Sequence, residues 1–259
     1  MSKIAEYELI SGKPFKYEGY SIVPPVLNVI SDKDVCGYNT YLSYLFPFCV
    51  DKEALLEEMN LIDWYNKELN DQEKQELTVF KILILSHPKM LTKAIQFFVE
   101  EKVVFDQKEG CFCLYKNKKI KGNPVTKITD DNFLELCDAV CQVNYRKRPE
   151  NENIDDYTFR SEKSKQKYLK FLELRKEFNK VKQTQTKQNE DFELGNVIAS
   201  LCAKGVGYTL VDVNKLTVYQ VYDQFYKTIK NNQVDAYAQK WAAWGTKDFD
   251  FATWYHKDN

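Results

Sequence analysis

Residues 216–229, LTVYQVYDQFYKTI, place Val218, Val221, Tyr222, Phe225 and Ile229 at i, i+3, i+4, i+7 and i+11. That spacing is one face of an α-helix. Tyr219 and Tyr226 stand beside the stripe and widen it beyond what a single core contact needs. A helix apolar around so much of its circumference must be covered on two sides. Trp241, Trp244 and Trp254 follow it, so the aromatic character continues to the end of the sequence.

The rest of the chain has the material for such a core. Its 259 residues are 44% apolar and 29% charged, which fits one large or two small folded domains. With only nine glycines and seven prolines, a loop-rich all-β fold is disfavoured. A formal charge of −1 gives no general attraction to nucleic acid or anionic membranes. No apolar run approaches membrane-spanning length, and residues 1–20 lack a basic-then-apolar signal. The seven cysteines are then expected to be reduced thiols in a cytoplasm.

Residues 4–10 and 16–23 mix apolar and polar side chains over strand-like lengths. Gly12-Lys13-Pro14 lies between them and Glu18-Gly19 is a second turn signal, so a β-hairpin or a pair of strands is expected. After Pro24-Pro25 the pattern to Glu101 is helical. Tyr38, Tyr41, Leu42 and Leu45 share a face, Asp51 is placed to cap a helix, and Asp71 precedes another running through Leu77, Phe80, Ile84 and Leu85. His87-Pro88 breaks that run. Residues 103–120 read as a second hairpin turning at Lys108-Glu109-Gly110, and Thr129-Asp130 open a helix with Phe133, Leu136, Cys137, Val140 and Val143. A polar break at 146–156 gives the expected organisation: an N-terminal α+β domain over 1–145, a basic helix and linker over 146–190, and a C-terminal helical module over 191–259. In that module Gly205 and Gly207 end the first helix and Asp212 caps the aromatic one. The fold class is mainly α with small β-hairpins (α+β).

Catalytic apparatus is sparse. His87 and His256 are the two histidines, one at a helix break and one near the end of the sequence, and a triad-type site would have to use one of them. Cys111 and Cys113 share a strand face, and Cys137 and Cys141 share a helix face, so four thiolates could in principle meet at zinc. The CxC and CxxxC spacings differ from the usual CxxC, and the interleaved Phe112, Leu114, Phe133 and Leu136 favour core packing. Lys204-Gly205-Val206-Gly207 follows a helix rather than opening one, which suits a helix end and not a phosphate loop. The paired carboxylates lie at caps, turns and polar faces. Residues 160–187 carry ten Lys or Arg against three Glu, a possible nucleic-acid surface but equally a solvated spacer or a face for an acidic partner. No cofactor, no metal and no enzymatic activity are expected, and the work of the chain is read as contact with other chains.

The opening YELISGKPFKYEGYSIVPPVLNVI with YNTYLSYL resembles the start of tail assembly chaperones of phages and prophages of Gram-positive bacteria. NVIASLCAKGVGYTLVDVNKLTVYQVYDQFYKTI resembles the closing module of the same family, through an LT-x-YQ-x-YDQF segment made here by Leu216, Thr217, Tyr219, Gln220, Tyr222, Asp223, Gln224 and Phe225. Residues 61–189 resemble it only in helical pattern. The resemblance implies a non-enzymatic protein in the host bacterial cytoplasm that coats the tape-measure protein during tail assembly, helps recruit tail-tube subunits, forms homo-oligomers on its partner and is absent from the virion. A short and a frameshifted long product are common in the family. A structural tail or baseplate component is the alternative, and a nucleic-acid-binding phage protein a further one.

A coat for a helical partner needs aromatic grooves, because helix-in-groove recognition uses i, i+3, i+4, i+7 anchors and Tyr and Trp dominate such contacts. Tyr219, Tyr222, Phe225, Tyr226, Trp241, Trp244 and Trp254 are the candidate partner or self-contact residues. Val218, Val221 and Phe225 are expected to serve the core instead.

Overall fold

The computed structural model describes residues 4–116, 123–148, 166, 193–203 and 207–245. Two compact units divide the chain, Met1–Pro149 together with Tyr208–Asn259, and Glu150–Gly207. Within the second, the described helix has Leu194, Val197 and Leu201 buried along one face. The basic stretch 160–187 falls almost entirely outside the described residues.

In the first unit, α1 (Glu6–Ser11) leads to a hairpin of β1 (Phe15–Tyr17) and β2 (Tyr20–Ile22), followed by α2 (Leu27–Ser31), α3 (Tyr38–Cys49), α4 (Lys52–Glu58), α5 (Ile62–Glu68) and α6 (Asp71–Glu76). Then come α7 (Val79–Ser86), α8 (Pro88–Phe98), β3 (Lys102–Asp106), β4 (Cys111–Tyr115), β5 (Thr126–Ile128) and α9 (Asp130–Val143). Helix α10 (Leu194–Ala203) belongs to the second unit, and α11 (Leu210–Val213) and α12 (Val218–Trp244) return to the first. Among the described residues the architecture is therefore mostly helical with one two-stranded and one three-stranded antiparallel sheet, an α+β fold as the sequence indicates. Among the described residues no helix is long and apolar enough to cross a membrane.

Several sequence signals act as expected. Asp51 caps α4 by accepting from the Ala54 N–H at 2.7 Å. His87-Pro88 separates α7 from α8, with proline in the first turn where its missing N–H is harmless. The β3–β4 hairpin turns through residues 107–110, and Phe105 pairs with Phe112. The expected strand over 4–10 is instead the helix α1: Glu6 and Glu8 favour its N-terminal turn and Gly12, at φ +65°, ends it. The hairpin turns at Glu18-Gly19, both at positive φ, which matches the twist of a two-residue connection. Asp71 does not start one long helix. Asn70 caps α6 and Thr78 separately caps α7.

The core of this unit is aromatic. Phe98 of α8 meets Phe48 of α3 edge-on at 5.5 Å, Phe48 meets Phe133 of α9 at 6.0 Å, Phe133 meets Phe80 of α7 at 5.1 Å, and Phe80 meets Phe112 of β4 edge-on at 6.0 Å. Phe48, Phe98, Phe112 and Phe133 are fully buried. Edge-to-face and tilted ring pairs add about 0.5–1.5 kcal/mol each beyond the area they bury.

Both small sheets are tied to this core. The Tyr17 hydroxyl donates to the Glu135 carbonyl of α9 at 3.3 Å. Buried Glu101 accepts from the Ser21 N–H at 2.9 Å and the Ser21 hydroxyl at 3.1 Å, with Lys16 Nζ 3.4 Å away. The Val23 N–H donates to the Phe98 carbonyl at 2.8 Å. The segment before α12 closes on the N-terminal chain. Leu27 donates to Leu216, Asn28 to Asn214 and Val218 to Pro25, at 2.9, 2.9 and 3.1 Å, around a bridge between Val26 and Thr217. These backbone bonds, at the point where the chain re-enters the unit, bind residues from Tyr208 onward to the first 149.

Removing the central ring should cost most. Phe133→Ala is expected to lower stability by about 3–5 kcal/mol, read by urea unfolding. A loss below about 1 kcal/mol would mean that the rings are not close-packed.

Candidate functional site

Helix α12 starts from a reciprocal cap. The Gln220 N–H donates to the Thr217 hydroxyl at 3.2 Å while the Thr217 N–H donates to Gln220 Oε1 at 2.8 Å. Asp212, the expected cap, instead completes the equivalent box of α11 with Thr209. The T-x-x-Q pattern was the available signal. Gln220 has a second role, since its Nε2 donates to the Ile10 carbonyl at the end of α1 at 2.7 Å. A Cβ on Gly12 would come within 2.8 Å of that amide, so this close approach requires glycine on space as well as on φ.

Only the first turns of α12 are buried. Val218, Val221, Tyr222 and Asp223 pack toward α1 and α9, while no residue from Gln224 to Trp244 is buried. Val218 and Val221 are core as expected, whereas Phe225 is half-buried.

Against this root lies a ring supplied by the end of α9. The Arg146 N–H donates to the Cys141 carbonyl at 2.8 Å and the Tyr145 N–H to Gln142 at 3.1 Å, a helix ending that normally places glycine in the left-handed position. Here that position is Tyr145, at φ +55°. Its ring stacks on Tyr226 at 5.4 Å and 15° and on Tyr222 at 5.8 Å and 18°, and tilts onto Tyr219 at 5.2 Å. Below it, fully buried Asn144 accepts from the Tyr41 hydroxyl at 2.9 Å and donates to the Val140 carbonyl at 2.7 Å, which fixes the helix end. A bulky residue held at positive φ is strained, and such strain persists only where its surroundings over-determine it. The four tyrosines thus form one cluster, with Tyr145 and Tyr226 reaching solvent at 38% and 41% exposure.

Burial pushes the Tyr219 phenol up to about 12, helped by the carboxylates of Asp223 and Glu6. Tyr145 moves up for the same leading reason, then through Asp223. Asp223 is buried and accepts from Lys227 Nζ at 2.7 Å. The cluster thus sets flat ring faces beside hydroxyl groups, with Tyr145 and Tyr226 partly open to solvent.

Beyond the cluster, α12 continues to Gly245, whose N–H donates to the Trp241 carbonyl at 2.7 Å. The whole helix is 27 residues, roughly 40 Å. Val234, Tyr237, Ala238, Trp241 and Trp244 fall at i, i+3, i+4, i+7 and i+10, a second stripe on the outer half. Tyr237, Trp241 and Trp244 are exposed at 62%, 42% and 75%. Of the seven aromatic candidates, the structure gathers Tyr219, Tyr222 and Tyr226 around Tyr145, sets Phe225 edge-on to Tyr226, and carries Trp241 and Trp244 outward. Trp254 lies outside the described residues. Sequence reading missed Tyr145, and nothing local marks a tyrosine for a left-handed helix end.

Among the described residues, those singled out for catalytic potential are not brought together. His87 is exposed between α7 and α8, and His256 is outside the described residues. Cys111, Cys113, Cys137 and Cys141 are all buried, and among the described residues no three His, Cys, Asp or Glu side chains are grouped to hold a metal.

Residues 184–259 match the family model of the YomV second domain. That family is phage-associated. The YomV match spans less than a third of the chain, but it contains all of α12 and both of its aromatic stripes. Comparison with curated proteins and with solved structures gives no significant match.

Two outcomes test the cluster. Tyr145→Ala keeps the left-handed strain and loses the ring, whereas Tyr145→Gly loses the ring but relieves the strain. The alanine variant is expected to be less stable than the glycine variant by about 1 kcal/mol in urea unfolding. Equal stabilities would refute the strained helix end. In alkali, the unfolded chain ionises its tyrosines near the ordinary value of 10, while burial holds Tyr219, Tyr20 and Tyr41 neutral to higher pH in the folded state. The folded form then retains more protons, and the buried thiols of Cys111 and Cys137, also raised by burial from an ordinary value of about 9, start the same trend earlier, so stability should fall as pH rises from about 9 toward 12. Tyr219→Phe should shallow that fall, and unfolding titrations at stepped pH check it.

Proposed function

We propose that this protein is a phage tail assembly chaperone that holds the tape-measure protein soluble during tail morphogenesis, by contact and without catalysis. The observation that carries this reading is the outer half of α12. A helix of 27 residues buries only the start of its length and presents Tyr237, Trp241 and Trp244 on its outer half. Large rigid aromatics on a helix supply contact area at little entropic cost, and they suit a partner whose own apolar face is helical. The phage-associated match over residues 184–259 supports the setting, and the resemblance of residues 7–30 and 38–45 to chaperone openings supports the role. On this reading the protein works in the host bacterial cytoplasm, several copies coat one tape measure, and the same surfaces receive tail-tube subunits. The tyrosine cluster fixes the root of the helix so that the outer stripe is presented in a defined direction.

Co-expression with the tape-measure protein, followed by size-exclusion chromatography with light scattering, tests this directly. A soluble complex with several copies of the chain per partner is expected. Tyr237→Ser with Trp244→Ser should lower the copies retained at least severalfold, while changing stability by no more than about 0.5 kcal/mol, as surface substitutions do. A chain eluting alone beside an insoluble tape measure would remove the chaperone reading and favour a structural component of the tail or baseplate.

A further inference from the structure

Helix α3 ends at Cys49, and Cys141 lies in the last turn of α9, 92 positions away in sequence. Their sulfurs are 3.4 Å apart. The Cys141 sulfur is also 3.3 Å from the Phe48 carbonyl. Cys141 is fully buried, whereas Cys49 is half-buried. We propose that Cys49 and Cys141 are a redox modification site, which joins α3 to α9 through an intrachain disulfide when a hydroperoxide oxidises the protein.

The geometry needs little change. Sulfurs in a disulfide sit about 2.05 Å apart, so this pair must close by roughly 1.4 Å, a movement within reach of side-chain rotation. The two helices are already packed together through Phe48 and Phe133. Roles within the pair are unequal. A hydrogen bond from Cys141 moves the Cys49 thiol down, against burial, with help from nearby Arg146. The same interaction, together with burial, pushes the Cys141 thiol up. With both groups protonated, Cys141 can donate to the Phe48 carbonyl. When Cys49 ionises, Cys141 can turn and donate to the thiolate. Cys49, the less buried of the two, is the sulfur that meets the oxidant, and buried Cys141 is the resolving one.

The chemistry balances with hydrogen peroxide as oxidant. The Cys49 thiolate attacks one peroxide oxygen, the S–O bond forms, the O–O bond breaks, and the departing hydroxide takes a proton to become water. Cys141 then attacks the sulfur of the Cys49 sulfenic acid. The S–S bond forms as the S–O bond breaks, and the Cys141 proton leaves with the hydroxide as a second water. Two thiols lose two electrons, and one peroxide becomes two waters. Cys137, one helical turn before Cys141 and also buried, is the competing resolving thiol.

The test uses the full chain under native conditions. It is treated with hydrogen peroxide, remaining thiols are alkylated after denaturation, and peptides are mapped by mass spectrometry without reduction. A Cys49–Cys141 linked pair is expected as the main oxidised product, reversed by dithiothreitol and retained in Cys137→Ala. The oxidised protein should melt at a higher temperature than the reduced one, since the cross-link restricts a long loop in the unfolded chain. Cys49→Ser should abolish the link, and because a serine at buried Cys141 risks misfolding, mapping of the unsubstituted chain carries the decision. Cys49 recovered as sulfinic or sulfonic acid beside alkylated Cys141, Cys49 linked to another cysteine, or both thiols recovered alkylated would each overturn the proposal.

Discussion

The contact between Phe48 and Phe133 is the hinge on which the arrangement of the first unit turns. It holds α3 against α9, and from those two helices the ring contacts pass outward to α8 through Phe98 and to α7 and β4 through Phe80 and Phe112. Once α3 and α9 are side by side, Tyr41 reaches Asn144 and Cys49 reaches Cys141. Neither polar contact could choose this pairing unaided, because each would have exchanged water bonds for protein bonds at a small net gain. The rings select the neighbours, and the polar groups then sharpen their register.

The end of α9 shows that sharpening at its most consequential. A glycine there would close the helix without strain, but it would remove the ring against which Tyr219, Tyr222 and Tyr226 pack. Tyrosine accepts an unfavourable backbone conformation and, in return, delivers a flat face to three other tyrosines. Buried Asn144 and the Arg146 N–H hold that conformation from below. The candidate surface is therefore a product of two segments more than seventy positions apart, and it lies on the helix that the phage-associated family model covers.

Much of this fold is legible in residue order. The β3–β4 hairpin announces itself by its turn residues, α8 by His87-Pro88, and the root of α12 by its apolar spacing. The failures share a physical cause, which is that distant partners decide the outcome. The segment holding Tyr7, Leu9 and Ile10 has strand-like composition, yet it is helical, with Gln220 gripping the Ile10 carbonyl in its last turn from over two hundred residues away. The strand β5 is three residues long and exists because Phe112 and Leu114 offer an edge to pair with. Of the aromatic candidates, spacing found the right helix but could not tell a stacked ring such as Tyr226 from an outlying one such as Trp244, because the ring that separates them, Tyr145, comes from another element.

The closure between residues 25–28 and 214–218 sets a clock on synthesis. A ribosome makes residues 25–28 well before it makes residues 214–218, which lie more than 180 positions later. At about 5–20 residues per second, the earlier segment waits on the order of ten to forty seconds for its mate. During that interval the backbone groups of Pro25, Leu27 and Asn28 that later pair with the C-terminal chain, and the apolar surface destined to lie under Val218 and Val221, have no native cover. Completion of the first unit thus waits for the stretch of chain that leads directly into the helix carrying the aromatic surface.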